Sequence, residues 1–146
     1  MFMRENKWIL KRARALGLYA AQLISANKPE AARKLLENML RITGELRRIK
    51  LHHKKIQMLV FPYLEKRGIT AVPRVLWGRE DKIITDLRDF YEKATEALKT
   101  GKVELMGEAG RLALDIAREI GEVVFRENKI LYQLYTLYSV KESGLQ

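Results

Sequence analysis

The sequence predicts an all-α protein with an up-down-up-down antiparallel four-helix bundle, and three observations support this. Four long stretches place apolar residues three and four positions apart, which is the spacing of one face of a helix. Short turns near residues 27–30 and 100–102 separate stretches of this kind, so we expect neighbouring helices to run antiparallel. No stretch shows the alternation of apolar and polar residues that marks a half-buried strand.

Helix A is predicted from about Met3 to Ala26. Its inward face carries apolar residues at helical spacing, with Trp8 and Tyr19 flanking it: Phe2, Ile9, Leu16, Ala20 and Leu23. Asn27–Glu30 is a short turn, in which Pro29 suits the first position of the next helix because its fixed φ and missing N–H cost nothing there.

Helix B is predicted from about Pro29 to Arg67. Its inward positions alternate by four and three residues, as in bundle packing: Leu35, Met39, Ile42, Leu46, Ile49, His53, Ile56, Val60 and Tyr63. Pro62 is expected to kink the helix near its end. Gly68 is expected to end it as a left-handed cap, and Pro73 to stiffen the loop that follows.

Helices C and D complete the predicted bundle. Helix C is expected from about Arg79 to Lys99, with Ile83, Leu87, Phe90, Ala94 and Leu98 facing inward. Helix D is expected from about Val103 to Tyr138, with an inward face that reads Met106, Ala109, Ala113, Ile116, Ile120, Val123, Glu127, Ile130, Leu134 and Leu137. Gly107 and Gly110 in helix D indicate a close contact between helices rather than a phosphate loop.

Length and composition narrow the class of protein. The 146 residues suit one domain spanning 1–146, large enough to bury a core without disulfides. The chain has no cysteine, which excludes disulfides, thiolate metal sites and cysteine nucleophiles. No apolar run approaches the roughly 20 residues that span a bilayer, so we expect a cytoplasmic protein with no membrane partner. Charged residues make up 32% of the chain, a balance typical of proteins from thermophiles.

The excess of positive over negative charge lies entirely in the first half of the chain. Residues 1–73 hold 16 Lys and Arg against 5 Asp and Glu, a net charge of +11, whereas residues 74–146 hold 12 against 13, a net of −1. The basic residues are spread along the predicted helices without the interleaved aromatic residues of a stacking surface. This pattern favours a solvated basic face over direct binding of nucleic acid.

A few polar residues interrupt the apolar faces. His53 lies on the inward face of helix B beside His52, and Glu5, Glu80 and Glu127 lie on those of helices A, C and D. Counting residues back from the turns places Glu5 within about a turn of His52, and Glu80 within about a turn and a half of the level of Glu127. The sequence therefore predicts one polar layer that contains these five residues.

Two interpretations of this layer remain open. Buried carboxylates are costly unless they are paired or bound to a cation, and bundles hold iron or manganese with carboxylates and imidazoles from facing helices. Alternatively, the carboxylates pair with inward-reaching Arg4, Arg12 or Lys50 in a structural network.

Two segments around this layer resemble the hemerythrin-like family. They are HHKKIQMLVFPYLEKRGI from His52 and VPRVLWGREDKI from Val72, which are similar to the family's LFPYLE-type and WG-x-HDEI-type segments. The resemblance implies a four-helix bundle whose helices hold a di-iron site. Position by position, His52 and Glu127 match ligands, whereas Ile56 and Gln57 stand at carboxylate positions and Val123 at a histidine position. Glu80 stands where the WG-x-H segment has histidine, and FMRENKWIL resembles the opening segment without its preceding histidine.

These departures shape the functional expectation. Reversible oxygen carriage needs more histidines than this chain contains, so we expect a non-catalytic binding or sensory-type module, not an enzyme, with a degenerate di-iron site and no cofactor. One alternative is a metal-binding protein in which His52, Glu80, Glu127 and Glu5 hold iron, manganese or zinc. The family resemblance indicates His52 as the inward histidine, whereas the apolar spacing indicates His53. Adjacent residues of a helix point about 100° apart, so only one of the two is expected to face the core.

Partners form the remaining alternative. A basic helical module of this kind would bind nucleic acid or an acidic protein through helices A and B. Tyr132, Tyr135 and Tyr138 are expected to pack near the end of helix D. If they are exposed, they form with Leu131 or Leu134 a patch suited to a partner helix or a homodimer.

Overall fold

The computed structural model describes residues 2–142, with side chains described as far as Thr136, and this part of the chain contains helices and no strand. Helix A is one α-helix and helix B is divided into four segments, while helices C and D are continuous. The observed elements are α1 (Phe2–Ile24), α2 (Pro29–Glu45), α3 (Arg48–Lys55), a π-helical turn (Ile56–Val60), α4 (Phe61–Glu65), α5 (Ala71–Thr100) and α6 (Val103–Glu142).

The apolar core lies between α1, α2, α5 and α6, with α6 in contact with each of the other three. Helix A buries Ile9, Leu16, Ala20 and Leu23 as expected, while Phe2 is only partly buried. Helix D buries the expected residues from Met106 to Glu127. Leu137 and Tyr138 lie outside the residues whose side chains are described.

Helix B departs from the predicted alternation at both ends. Leu36 rather than Leu35 is fully buried, and Tyr63 is 41% exposed while Leu64 is buried. The prediction assumed one continuous α-helix, whereas the helix is interrupted after Glu45 and again by the π-helical turn before Pro62. Pro62 lacks a backbone N–H, and the N–H of Phe61 reaches back to the carbonyl of Ile56.

The start of helix C was predicted wrongly. It begins at Ala71 rather than Arg79, so Pro73 lies in the first turn of the helix instead of stiffening a loop. The first four N–H groups of a helix have no partner within it, and a proline there removes no hydrogen bond. Gly78 lies inside the helix. Gly68 does end helix B with a φ of 81°, as predicted, and the N–H of Ile69 donates to the carbonyl of Leu64 at 3.0 Å.

Small residues bring α1 and α6 close together. A Cβ at Gly110 would lie 3.1 Å from Leu23 Cδ2, and one at Gly17 would lie 3.3 Å from the Cβ of Ala117. The close contact predicted at Gly110 is therefore confirmed, whereas a Cβ at Gly107 would meet only the Arg111 side chain.

The surface of the described helices has two features that bear on partners. None of these helices combines the length and the apolar character needed to cross a bilayer. Tyr132 and Tyr135 are 65% and 68% exposed, with Leu131 and Leu134 partly buried beside them. The expectation that Tyr132 and Tyr135 pack is therefore wrong, and they form the exposed patch named as the alternative. Its partner stays a prediction.

Candidate metal centre

Four helices bring the polar residues into one layer. His52 and His53 come from α3, Glu5 from α1, Glu80 from α5 and Glu127 from α6. Both histidines, Glu80 and Glu127 are buried, while Glu5 is partly exposed at the edge of the layer. Polar side chains are seldom buried without partners, so their contacts indicate what the layer does.

His53, Glu80 and Glu127 form the inner cluster. Each offers one ligand atom, and these atoms lie within 4.8 Å of one another. His53 Nε2 lies 3.7 Å from Glu127 Oε2, beyond hydrogen-bond distance. Among the described residues, no side chain outside this carboxylate pair donates to Glu80 Oε2 or Glu127 Oε2, and the buried Nδ1 of His53 has no hydrogen-bond partner. Two buried carboxylate oxygens beside an imidazole, with no other side chain donating to them, are the pattern expected of a cation site.

The second oxygen of each buried carboxylate is held by a neighbouring side chain. Gln57 Nε2 donates to Glu80 Oε1 at 3.0 Å, and His52 Nε2 lies 2.8 Å from Glu127 Oε1. Each carboxylate is thus fixed through one oxygen, which leaves the other directed at the cluster. Supporting hydrogen bonds of this kind orient the ligands in metal sites.

His52 bridges two carboxylates. Its Nδ1 lies 2.8 Å from Glu5 Oε1, and Lys55 Nζ donates to the other oxygen of Glu5 at 2.6 Å. Burial alone would lower the pKa of His52, but the hydrogen bonds to Glu127 and Glu5 outweigh it and raise the pKa. The ring therefore favours the imidazolium form, which donates through both nitrogens and balances the negative charge of Glu127.

The pKa values of Glu80 and Glu127 are shifted in opposite directions. Burial, together with the neighbouring charge of Glu127, raises the pKa of Glu80 to about 10. Burial would also raise the pKa of Glu127, yet hydrogen bonds from His52 and Glu80 lower it. At neutral pH one carboxyl is therefore protonated and the other ionised, and the proton of Glu80 lies between them.

His53 is a neutral imidazole at neutral pH. Burial lowers its pKa to about 4, and the charge of Glu127 only partly opposes this. A neutral imidazole has a free lone pair, which is the form that binds metals.

A cleft of about 360 Å³ between α3 and α5 leads from solvent to this side of the layer, lined by His53, Gln57, Asp81, Lys50 and Lys54 among others. It gives a cation a route to His53.

The structure changes two expectations about individual residues. Both histidines are buried, so the expectation that only one faces the core is wrong: α3 lies between neighbours on two sides, and His52 turns towards α1 while His53 turns towards α5. On α1 the predicted inward residue, Glu5, lies at the edge of the layer. The fully buried position is taken by the next residue, Asn6, which is 0% exposed.

The partners named for a structural network also differ from those observed. Arg12 pairs with Glu45 and stacks on Trp8, and it is Lys55 that reaches Glu5. Sequence reasoning also missed Asn6, whose amide donates to Asn128 Oδ1 at 2.9 Å, because the adjacent Glu5 carried the stronger signal.

The fold and this layer define a helical bundle with carboxylates and imidazoles gathered in its interior, a class that commonly holds metal ions. The chain belongs to the hemerythrin HHE cation-binding domain family, whose model matches residues 1–135. Comparison with curated protein sequences finds no match.

The residues present fit one cation. The cluster provides one imidazole nitrogen and two carboxylate oxygens, a donor set that suits iron, manganese or zinc. The structural observation that supports the fit is that no described side chain outside the pair donates to the buried Oε2 atoms of Glu80 and Glu127.

Proposed function

We propose that this protein is a metal-binding helical bundle that holds one divalent cation, iron, manganese or zinc, at His53, Glu80 and Glu127. The observation that carries the proposal concerns the two oxygens of each carboxylate: one is fixed by a neighbour, and the other is buried and receives no hydrogen bond from a described side chain outside the pair. A bound cation supplies positive charge and Lewis acidity at these carboxylates.

The contacts of His52 favour a site for one cation over a site for two. Both of its ring nitrogens lie 2.8 Å from carboxylate oxygens, so the imidazolium stands where a second cation would need a ligand. Its role in the proposal is to orient Glu127 and to balance its charge. We infer on this basis a binding or sensory module with a degenerate di-iron site rather than an enzyme or an oxygen carrier.

A second candidate function is a metal-free bundle used for interaction. It is favoured by the charge balance of the layer: the proton on Glu80 and the imidazolium of His52 leave no net charge at Glu80, Glu127 and the two histidines. In this state the proton shared by the two carboxyls occupies the place that the cation takes in the first proposal.

The proposal includes the up-down-up-down order of the four helices. Two observations support it: the two-residue turn between α5 and α6, and the side-chain pair of Asn6 and Asn128, which are far apart in sequence.

Metal analysis of the purified, untagged protein tests the first proposal. The protein is incubated anaerobically with ferrous iron, or in air with zinc or manganese, desalted, and measured by elemental analysis. We expect close to one metal per chain, and loss of that metal in Glu80→Gln and Glu127→Gln. Glu119→Gln is the matched control, because Glu119 is a partly exposed carboxylate paired with Arg79 outside the cluster. Metal well below one per chain in the wild type, with no rise in melting temperature, supports the metal-free candidate instead.

A further inference from the structure

A cleft of about 570 Å³ lies between α2 and α5, beside the interruption of helix B. It shares Lys50 with the cleft that leads to His53, but no residue of the metal cluster lines it. Its volume is in the range of small-molecule sites in proteins. The apolar part of its lining comes from Leu40 on α2 and from Ile84 and Leu87 on α5, with the ring of Tyr91 beside them. An apolar ligand body would therefore be covered from two helices.

The polar part of the lining is strongly basic. Arg47, Lys50 and Arg88 line the cleft, and no aspartate or glutamate does. Within the described residues none of these three side chains forms an ion pair. Arg47 lies only over the ring of Tyr91, 5.8 Å from its centroid.

Three exposed cations beside an apolar lining suit a ligand that has both an anionic group and an apolar body. A guanidinium binds a carboxylate through two parallel hydrogen bonds, and this contact gains strength where an apolar ligand body excludes water. A simple inorganic anion would leave the apolar lining wet, and a neutral apolar molecule would leave the cations without a partner.

We propose that the cleft between α2 and α5 binds a small amphipathic organic acid. Its carboxylate pairs with Arg47, Lys50 or Arg88, and its apolar body lies against Ile84 and Leu87. This site does not depend on a metal at His53, so the two proposals stand or fall separately.

Gly44 provides a test that leaves the charges unchanged. It lines the cleft, and a Cβ built on it has no atom within 4 Å. Gly44→Phe should place its ring in the cleft and compete with a ligand, while Gly44→Ala, its matched control, should leave the cleft open. Arg47→Gln/Arg88→Gln removes two of the cations, and Arg111→Gln removes one charge from α6, which does not line the cleft.

The experiment is an NMR titration of isotope-labelled full-length protein with octanoate, 1-octanol and inorganic phosphate, after circular dichroism has shown that each variant melts as a folded protein. We expect saturable shifts from octanoate at α2 and α5, and weak or no saturation from the other two ligands. Binding should weaken at least tenfold in Gly44→Phe and about tenfold in Arg47→Gln/Arg88→Gln, and should stay unchanged in Gly44→Ala and Arg111→Gln.

Three results overturn the proposal. One is the absence of saturable octanoate binding by the wild type. Another is equal binding of octanol or phosphate, which would show that one of the two characters is unnecessary. The third is octanoate binding that Gly44→Phe leaves intact, which would place the ligand elsewhere on this basic protein.

Discussion

Replacing Glu80 by glutamine should stabilise the metal-free protein while abolishing its metal binding. The pKa of Glu80 is about 10 in the folded protein, against an ordinary value of 4.5 in the unfolded chain. Between these values the folded protein binds one more proton than the unfolded chain. The free energy of unfolding therefore falls as pH rises, by about 1.4 kcal/mol per pH unit from this residue.

The size of the effect at neutral pH follows from this slope. From pH 4.5 to pH 7 the wild type loses roughly 3 kcal/mol of stability because burying this carboxyl requires keeping its proton. Glutamine has no such proton to lose. Its carbonyl can accept from Gln57 as Glu80 Oε1 does, and its amide can donate to Glu127 in place of the proton of Glu80.

Urea denaturation of chelator-treated protein at several pH values between 6 and 9 measures the difference. Glu80→Gln should be more stable than the wild type by about 3 kcal/mol at pH 7, and the gap should widen with pH by about 1.4 kcal/mol per unit. His52 contributes the same pH dependence to both proteins, so the difference between them isolates Glu80. The control Glu119→Gln should be slightly less stable than the wild type, because Glu119 accepts hydrogen bonds from Arg79.

The reasoning is refuted if Glu80→Gln is no more stable than the wild type at pH 8, or if the gap between them does not change with pH. Either result would mean that Glu80 is ionised in the folded protein without a metal.

Further predictions concern the metal and the packing. Binding of zinc at pH 7 should release about one proton per metal, that of Glu80, as shown by calorimetry in buffers of different ionisation enthalpy. Gln57→Leu should weaken zinc binding roughly 10- to 100-fold in competition with a chromophoric chelator, because it frees Glu80 Oε1, whereas the exposed Met58→Leu should not. Thermal melting should show Gly44→Ala stabilised by about 0.5–1 kcal/mol, since its Cβ has open space within a helix, and an unchanged melting temperature would contradict this. Gly110→Val should lose about 1–3 kcal/mol, because its side chain would collide with Leu23.

The sequence predicted the helices better than it predicted their irregularities. Apolar spacing over long stretches located all four helices, since it reports directly which face is buried. Pro73 and Gly78 misled the prediction of the start of α5, because both residues also occur inside helices when their local cost is small or is offset by packing. The interruption after Glu45 and the π-helical turn left no residue-level signal in the apolar spacing.

The polar layer was predicted as a set of residues but not as a set of contacts. Carboxylates within apolar faces are rare enough for Glu80 and Glu127 to stand out. The inward positions of a helix are uncertain by one residue, which is why Glu5 was favoured over Asn6 and one histidine over the other. Gln57 was read as a lost ligand, and only the structure shows that its amide supports Glu80.

The π-helical turn at Ile56–Val60 has a consequence for how this protein can change. Such a turn contains one residue more than an α-helical turn, so it offsets the direction of every later side chain by about 100°. On one side of the turn the helix directs His52 and His53 into the polar layer, and on the other it directs Phe61 and Leu64 into the apolar core. The placement of the polar residues and the placement of the apolar residues are thus set by different stretches of the chain. A substitution at His52 or His53 and a substitution at Phe61 or Leu64 therefore fall on opposite sides of the offset and act on different parts of the interior.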